Sequence, residues 1–357
     1  MFATIVKSKL FFPLDEKLRL RHDHWSSGIA RIATGQGLQS KSFALAAELF
    51  SDATGCEMSC ESLRKVTQGW GRKVSEKRER EAEALFDVKE APSKEVVAVT
   101  NPIEKQASIS TDGGFVHIRE DGWKEVKMTT ISSVRPKRES EKSVRADGRK
   151  YEPYETEIML EEHSYQVGFW KADEMGKHQY RAGLRRNLEN CLDISSTNDG
   201  AKWIKRITGE NFPETTQIVD WFHAAEKMWG IGKETISGKE DRKKWVETRL
   251  NDLWTGRLDD VNLDLAKVDT TQAINTDTVE TEIGYFEKQQ DRMKYDQYRI
   301  AGYPIGSGAV ESGINGVVHH RMKRQGQGWA RANVNPMLAA LSELHSGRFQ
   351  TEWKCTQ

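Results

Sequence analysis

The order in which hydrophobic periodicity changes along the chain constrains its fold more than any other feature. Residues 107–119 and 125–134 alternate apolar and polar side chains, as half-buried strands do, and Asp121-Gly122 between them is typical of a turn. A third strand is predicted at 158–169. The middle of the chain therefore begins with three strands that follow one another as hairpins.

After these strands the period changes. Helices are predicted at 171–190 and 200–208, and short strands at 191–197 and 216–219. Three hairpin-connected strands followed by alternating helix and strand predict an α/β fold, in which helices cover a mixed sheet. A further helix is predicted from Trp221.

Composition excludes several classes of protein. No apolar stretch approaches the roughly 18 residues of a membrane-spanning helix, so we expect no membrane partner. Four scattered cysteines are too few for a disulfide framework and suit a reducing cytoplasm. The 54 basic and 54 acidic residues give no net charge, so any affinity for nucleic acid has to come from local basic patches.

The first part of the chain, residues 1–86, is predicted to be a helical domain. Residues 41–50 place apolar side chains on one face, and a second helix with Ser59 as its N-cap carries several Arg and Lys, among them Arg64 and Lys65. Two short helices joined by a glycine-containing turn form a helix-turn-helix-like pattern. Two interpretations stay open, a helix that reads DNA and a solvated basic face.

The remaining domain boundaries follow from composition. Residues 87–106 contain two prolines and lack helical periodicity, which indicates a linker. The main domain is predicted at 107–349, with a charged helical insertion at about 224–300, and residues 350–357 are predicted to be a tail.

Three acidic residues are candidates for chemistry. Asp112 lies inside the first predicted strand, Asp199 follows a later strand, and Glu311 stands in the first turn of a helix that follows Gly306-Ser307-Gly308. Taken singly, each aspartate also suits a turn or an N-cap, and Glu311 suits a helix N-terminus. Brought together, three carboxylates can hold two Mg²⁺ ions about 4 Å apart for phosphodiester chemistry.

Several motifs, in order, resemble one protein family. They are STDGGFV with GWKEVK, NDGAKWI, FP at Phe212-Pro213, DWFHAAEKMW, YPIGSGAVES and RMKRQGQGW. Together they are similar to the ISKra group of bacterial insertion-sequence transposases. The likeness extends from about Phe12 to Phe349.

The resemblance implies a ribonuclease H-like catalytic core with a DDE triad, which falls on Asp112, Asp199 and Glu311 by motif matching. These three residues would be both the catalytic residues and the ligands of two Mg²⁺ ions, with Mn²⁺ as a substitute. The resemblance also implies a helical insertion before the glutamate-bearing helix. Asp220 and His223 match a pair in related groups, and we expect them to support catalysis indirectly.

The segment after Glu311 is basic. Arg321, Lys323 and Arg324 lie near Trp329, with no acidic residue before Glu343. Cations of this kind contact DNA phosphates, and an indole stacks on an unpaired base, so these residues join Arg64 and Lys65 as the predicted DNA-binding set. A basic surface loop is the alternative.

The expected function is a metal-dependent transposase. It would bind the terminal inverted repeats of its element, cleave a phosphodiester to free a 3′-hydroxyl, and join that hydroxyl to target DNA. We expect it to act on double-stranded DNA as a homo-oligomer, in the cytoplasm at the nucleoid. Two alternatives stay open: a ribonuclease H-like nuclease without strand transfer, and a transposase-derived DNA-binding regulator.

Overall fold

The structure, a computed structural model, describes residues 25–87, 96–142, 145 and 147–356. The start of the predicted helical domain, residues 1–24, and residues 88–95 of the predicted linker lie outside this range. The described chain begins with three helices. Their bounds are Ser27–Gln39 (α1), Phe43–Thr54 (α2) and Cys60–Leu85 (α3).

A mixed five-stranded sheet forms the centre of the molecule. Its strands are Gln106–Ile118 (β1), Gly122–Pro136 (β2), Ile158–Gly168 (β3), Asp193–Asn198 (β4) and Thr216–Val219 (β5). The strand order is β3-β2-β1-β4-β5. The first three strands pair antiparallel, and β4 and β5 join them in parallel to β1. The predicted α/β class with a mixed sheet is confirmed.

Helices flank the sheet and follow it in the chain. Three of them are Ala172–Arg185 (α4), Lys202–Asn211 (α5) and Trp221–Thr235 (α6). The region of the predicted insertion continues with Lys239–Trp254 (α7), Leu258–Leu265 (α8), Thr276–Gln289 (α9) and Tyr295–Ala301 (α10). The last helices are Gly308–Gly313 (α11), His320–Met322 (α12), Val334–His345 (α13) and Phe349–Cys355 (α14), with a π-helical turn at Ile314–His319.

Local sequence signals account for the helix ends in the N-terminal part. Gly55 follows α2 in the left-handed region, with φ of 67°, where glycine is favoured because it lacks a Cβ. The Ser59 side chain accepts a hydrogen bond from the Ser62 backbone N–H and so caps α3, as predicted. These helices lie where the sequence pattern predicts them. The helix-turn-helix arrangement stays a prediction.

The N-terminal helices pack into the rest of the molecule. Trp70 of α3 is buried and makes edge contacts with the ring of Phe349, at 5.0 Å between centroids. Gly71 faces the backbone of Pro336 so closely that a Cβ would lie 2.3 Å from its carbonyl oxygen. One hydrophobic core therefore joins α1 and α3 to the sheet and to the last helices.

Ion pairs reinforce this packing. Arg78 of α3 contacts Glu343 of α13 at 2.5 Å, and both side chains are buried. Lys77 contacts Glu352 of α14 at 2.9 Å. Part of the basic face of α3 is therefore turned inward against acidic partners from the end of the chain, which neither open interpretation anticipated.

The C-terminal residues form a short helix that packs on the rest of the molecule. The segment predicted as a tail forms α14, and its Trp353 is buried. Burial of that indole against Trp70 explains why the segment is ordered into a helix. Among the described residues, no helix has the length and apolarity needed to cross a membrane.

Candidate active site

Sheet register brings three aspartates to one level at the carboxyl ends of β4 and β5. Ile109 pairs with Ser196, so continuing the register by three residues places Asp112 level with Asp199. Asn198 pairs with Val219, so the next residues, Asp199 and Asp220, are also level. Asp112, within β1, is therefore level with Asp199 and Asp220, which directly follow β4 and β5, although the pairing of β1 with β4 ends before this level.

Strands β1 and β4 diverge where the acidic row, formed by Asp112, Asp199 and Asp220, begins. The amide side chain of Asn198 fills the gap between β1 and β4, because its Oδ1 accepts a hydrogen bond from the Thr111 backbone N–H at 2.7 Å. Next along β1, the Asp112 carboxylate accepts from the Gly113 backbone N–H at 2.7 Å through Oδ1. Asp112 is half-buried. Its second oxygen makes no hydrogen bond to any residue within the described ranges.

The helical insertion holds Asp199 through its backbone. The Tyr285 hydroxyl of α9 donates to the Asp199 carbonyl oxygen at 2.9 Å, and Gln289 donates to the Gly200 carbonyl oxygen at 2.9 Å. Gly200 has φ of 94°, and a Cβ there would lie 2.9 Å from the Tyr285 ring. The Asp199 side chain accepts from the Ala201 backbone N–H at 2.9 Å through one oxygen. The insertion therefore fixes the turn that presents this carboxylate.

Glu311 approaches the row from α11. Its Oε1 accepts a hydrogen bond from the Ser307 hydroxyl at 2.8 Å. The Ser307 backbone N–H donates to the buried Asp220 carboxylate, which links the start of α11 to the start of α6. The other oxygen of Glu311 has no hydrogen-bond partner among the residues that the structure covers, and the residue is exposed.

Asp220 and His223 form a pair at the start of α6. Asp220 is fully buried and caps the helix, because its Oδ1 accepts from the His223 backbone N–H at 2.8 Å. The His223 ring nitrogen Nδ1 lies 3.3 Å from the same oxygen. Both oxygens of Asp220 thus have partners. This geometry suits the supporting role expected of the pair.

The charges of these groups act on one another. Burial, and then the negative charges of Asp199 and Glu311, raise the pKa of Asp112, against the Gly113 N–H and the His223 ring, which lower it. The hydrogen bond to Asp220 raises the pKa of His223 to about 8, with further contributions from Asp199 and Glu311. His223 is therefore mostly cationic at neutral pH and partly balances the carboxylates.

The unengaged carboxylate oxygens of Asp112, Asp199 and Glu311 are of the chemical type that binds a hard divalent cation. Each of Asp112, Asp199 and Glu311 has one oxygen held by a neighbouring donor and one directed to no residue in the described part of the chain. Carboxylate oxygens are the ligands that Mg²⁺ and Mn²⁺ favour. A different group of residues in the described ranges has all its potential ligand atoms within 4.8 Å of one another. This group is Asp220, His223 and Glu311.

The predicted DNA-binding residues divide into two groups. Lys65 and Lys323 are exposed, and Arg64 and Arg324 are half-exposed. Arg321 and Trp329 are buried, with 1% and 4% of their surface exposed. The Trp329 indole N–H donates to the Met322 carbonyl oxygen at 3.1 Å. The predicted stacking of Trp329 on an unpaired base and a phosphate contact from Arg321 are therefore both at odds with this packing.

Sequence reasoning missed three residues that build the site. Asn198 bridges β1 and β4, Ser307 joins Asp220 to Glu311, and Tyr285 fixes the Asp199 turn. The first two lie inside the motifs NDGAKWI and YPIGSGAVES, where Asn198 adjoins Asp199 and Ser307 precedes Glu311 by four residues, so these positions were an available signal. Tyr285 lies in a charged helix with no local signal.

Comparison with protein-family models finds no match for the chain, and comparison with curated proteins finds none either.

Proposed function

We propose that the protein is a metal-dependent transposase of the DDE type, which cleaves the ends of its DNA element and joins the freed 3′-hydroxyl to target DNA. The observation that carries the proposal is that Asp112, Asp199 and Glu311 lie near enough for the charges of Asp199 and Glu311 to raise the pKa of Asp112. They come from a strand, a strand end and a late helix, with separations of 87 and 112 residues, and their charges act on one another.

The sheet supports a ribonuclease H-like core as the host of this site. Three antiparallel strands are followed by two that run parallel to the first, and helices cover the sheet. The acidic row lies at the carboxyl ends of the parallel strands, where open α/β sheets bind ligands. The insertion of α7 to α10 suits the helical insertion that the ISKra resemblance implies.

Asp112, Asp199 and Glu311 would hold the divalent cations, each through its unengaged oxygen. Bound Mg²⁺ supplies charge stabilisation at the attacking and leaving oxygens of a phosphodiester. Asp220 and His223 keep Glu311 in place through Ser307, and the His223 cation limits repulsion among the carboxylates.

The proposed reaction has two chemical steps. In the first, a water oxygen bonds to phosphorus, the P–O3′ bond breaks, and the products are a 5′-phosphate and a free 3′-hydroxyl. In the second, that hydroxyl oxygen bonds to a phosphorus of the target, a target P–O3′ bond breaks, and the departing oxygen takes up a proton. Both steps require in-line placement of the two oxygens and neutralisation of developing charge.

Asp112→Asn tests the proposal. The change removes one carboxylate charge and retains the shape, so we expect the fold and DNA binding to persist while Mg²⁺-dependent cleavage of a labelled duplex falls by at least 10²-fold. Asp259→Asn is the matched control, because Asp259 is exposed in the first turn of α8 and is not among the charges that act on Asp112 or His223.

The outcomes separate the alternatives. Cleavage together with joined products on a target duplex supports the transposase. If the protein cleaves the duplex but never joins a free 3′-hydroxyl end to the target, it is a nuclease. Binding with no cleavage by the unaltered protein in Mg²⁺ or Mn²⁺ assigns a DNA-binding regulator. Retained Mg²⁺-dependent cleavage by Asp112→Asn refutes the catalytic assignment.

A further inference from the structure

A groove of about 1100 Å³ lies between the N-terminal helices and the segment that follows α12. One side is formed by Lys41, Ser42 and Phe43 before and at the start of α2, with Arg64 from α3. The opposite side is formed by residues 323–330. The groove therefore exists only because the two ends of the described chain pack together.

The lining of this groove is strongly basic. Five of the lining residues are cations and none is acidic, the cations being Lys41, Arg64, Arg119, Lys323 and Arg324. Arg64 is paired with Glu61 at 2.5 Å, whereas the other four make no ion pair with a residue in the described ranges. Four positive charges in one groove are thus left without a counter-charge, although the whole chain has no net charge.

A buried cation strengthens the positive field below the groove. The Arg321 guanidinium stacks between Phe43 and Trp329, at 4.5 and 5.1 Å from the ring centroids. It also donates to the Gly37 carbonyl oxygen at 3.0 Å. Arg321 and Trp329 are predicted to touch DNA directly. Instead, they pack against each other beneath the exposed cations of the groove.

The groove has a fixed position relative to the acidic row. The Trp329 backbone N–H donates to the His117 carbonyl oxygen at 2.9 Å, and the Arg119 N–H donates to the Trp329 carbonyl oxygen at 2.9 Å. These bonds attach residues 323–330 to the end of β1, the strand that carries Asp112. Arg119 lies seven positions after Asp112 and directly follows β1, so about 23 Å of extended chain separates the two residues.

We propose that this groove binds the phosphate backbone of double-stranded DNA about seven base pairs from the phosphate on which the carboxylates act. For a duplex that runs along β1, about 23 Å at a rise of about 3.4 Å per base pair corresponds to about seven base pairs. Four cations without an ion pair complement a polyanion, and the amide side chains of Gln325 and Asn333, which also line the groove, supply further donors for phosphate oxygens. The proposal rests on the proposed function only for the position of the reacting phosphate.

Salt dependence of binding tests the groove without any cleavage. A labelled 20-base-pair duplex is titrated with the full chain in EDTA at 50–200 mM salt. The test variant combines Lys41→Gln, Lys323→Gln and Arg324→Gln. Since each phosphate contact contributes about 0.9 to the slope of log affinity against log salt, we expect the slope to fall by about 2 to 3.

A matched control keeps this measurement specific. Lys205→Gln, Lys244→Gln and Lys288→Gln together remove the same charge from exposed positions outside the groove. We expect the control to keep a slope within about one of the unaltered protein. Equal slopes for the groove variant and the control would overturn the proposal. Displacement of the duplex by polyglutamate at equal charge concentration would assign the groove to acidic proteins and also overturn it.

Duplex length tests the position. For the unaltered protein, a duplex that extends 12 base pairs beyond the cleaved phosphate should bind at least tenfold more tightly than one that extends 4, and the groove variant should lose that difference. Equal binding of both duplexes by the unaltered protein would refute the seven-base-pair placement. The groove variant should keep Mn²⁺ binding at the carboxylates, so failure of the groove and failure of the active-site proposal are separate results.

Discussion

Glu343→Gln removes the charge at the centre of the buried network that joins the N-terminal helices to the end of the chain. Glu343 accepts hydrogen bonds from Arg78 at 2.5 Å, Arg348 at 2.7 Å and Arg185 at 3.3 Å. Burial raises the pKa of Glu343, but the charges of Arg78, Arg348 and Arg185 lower it further, so this pKa lies well below its ordinary value. The change to glutamine keeps the volume and removes the ionic partner of Arg78 and Arg348, while Arg185 keeps a second partner in Glu352.

The magnitude follows from those three contacts. A charged hydrogen bond contributes about 1.5–3 kcal/mol and a neutral one about 1, so three contacts lose about 1.5–6 kcal/mol. Breaking a buried ion pair costs about 3–5 kcal/mol, which lies inside that range. We expect the free energy of unfolding to fall by about 4 kcal/mol, measured by urea titration with tryptophan fluorescence. Glu139→Gln, in an exposed pair with Lys142, is the control and should cause no measurable change.

The same network predicts a dependence on pH. Because the folded pKa of Glu343 is depressed, its contribution to stability is present above the unfolded pKa of about 4.3 and is lost as pH falls toward the lower folded value. The gap in stability between the unaltered protein and Glu343→Gln should therefore narrow below about pH 4. Two results would refute this role of Glu343. One is a Glu343→Gln variant as stable as the unaltered protein at pH 7, and the other is a difference in stability that stays constant down to pH 3.

Three further predictions concern the site. Tyr285→Phe removes the hydrogen bond to the Asp199 carbonyl oxygen and should cost about 1 kcal/mol of stability and slow cleavage; unchanged cleavage would contradict a positioning role. Asp220→Asn should lower the pKa of His223 from about 8 toward its ordinary 6.5, seen by NMR titration, whereas a pKa still near 8 would show another cause. Gly200→Ala should destabilise the fold by about 1–3 kcal/mol in thermal unfolding, since φ is 94° there, and equal stability would contradict this.

Much of the fold was predictable because its signals are local. The strand at Thr216–Val219 and the helix from Trp221 lie where the period indicated, since a short apolar run followed by an acidic N-cap is a local pattern. Ser59 and Gly55 likewise mark helix ends through their own side chain or backbone. The class of the sheet follows from the order of these elements.

The direction of the charged faces was not predictable from local pattern. Arg78 reads as surface charge in the sequence, but its partner Glu343 lies 265 residues away. Arg321 and Trp329 look like ligands for DNA because they are basic and aromatic, and they are buried because each completes the packing of the other and of Phe43. Such pairings depend on tertiary contacts that no window of sequence contains.

The candidate site was predictable in its residue types and not in its arrangement. The order of Asp112, Asp199 and Glu311 along the chain and the motifs around them predict these residues as the site. Their proximity depends on β4 lying beside β1, and the spacing of the strands along the sequence does not determine that. The link from Asp220 through Ser307 to Glu311 depends on a backbone N–H, which carries no sequence signal.

Mn²⁺ binding, measured by calorimetry on the full chain without DNA, tests the shared carboxylate site most directly. Asp112→Asn, Asp199→Asn and Glu311→Gln should each weaken Mn²⁺ binding at least tenfold, while Asp259→Asn leaves it unchanged. If Asp112→Asn and Asp199→Asn bind Mn²⁺ as well as the unaltered protein does, and His223→Asn abolishes binding, then the ion sits between Asp220, His223 and Glu311 and the account of the site is wrong.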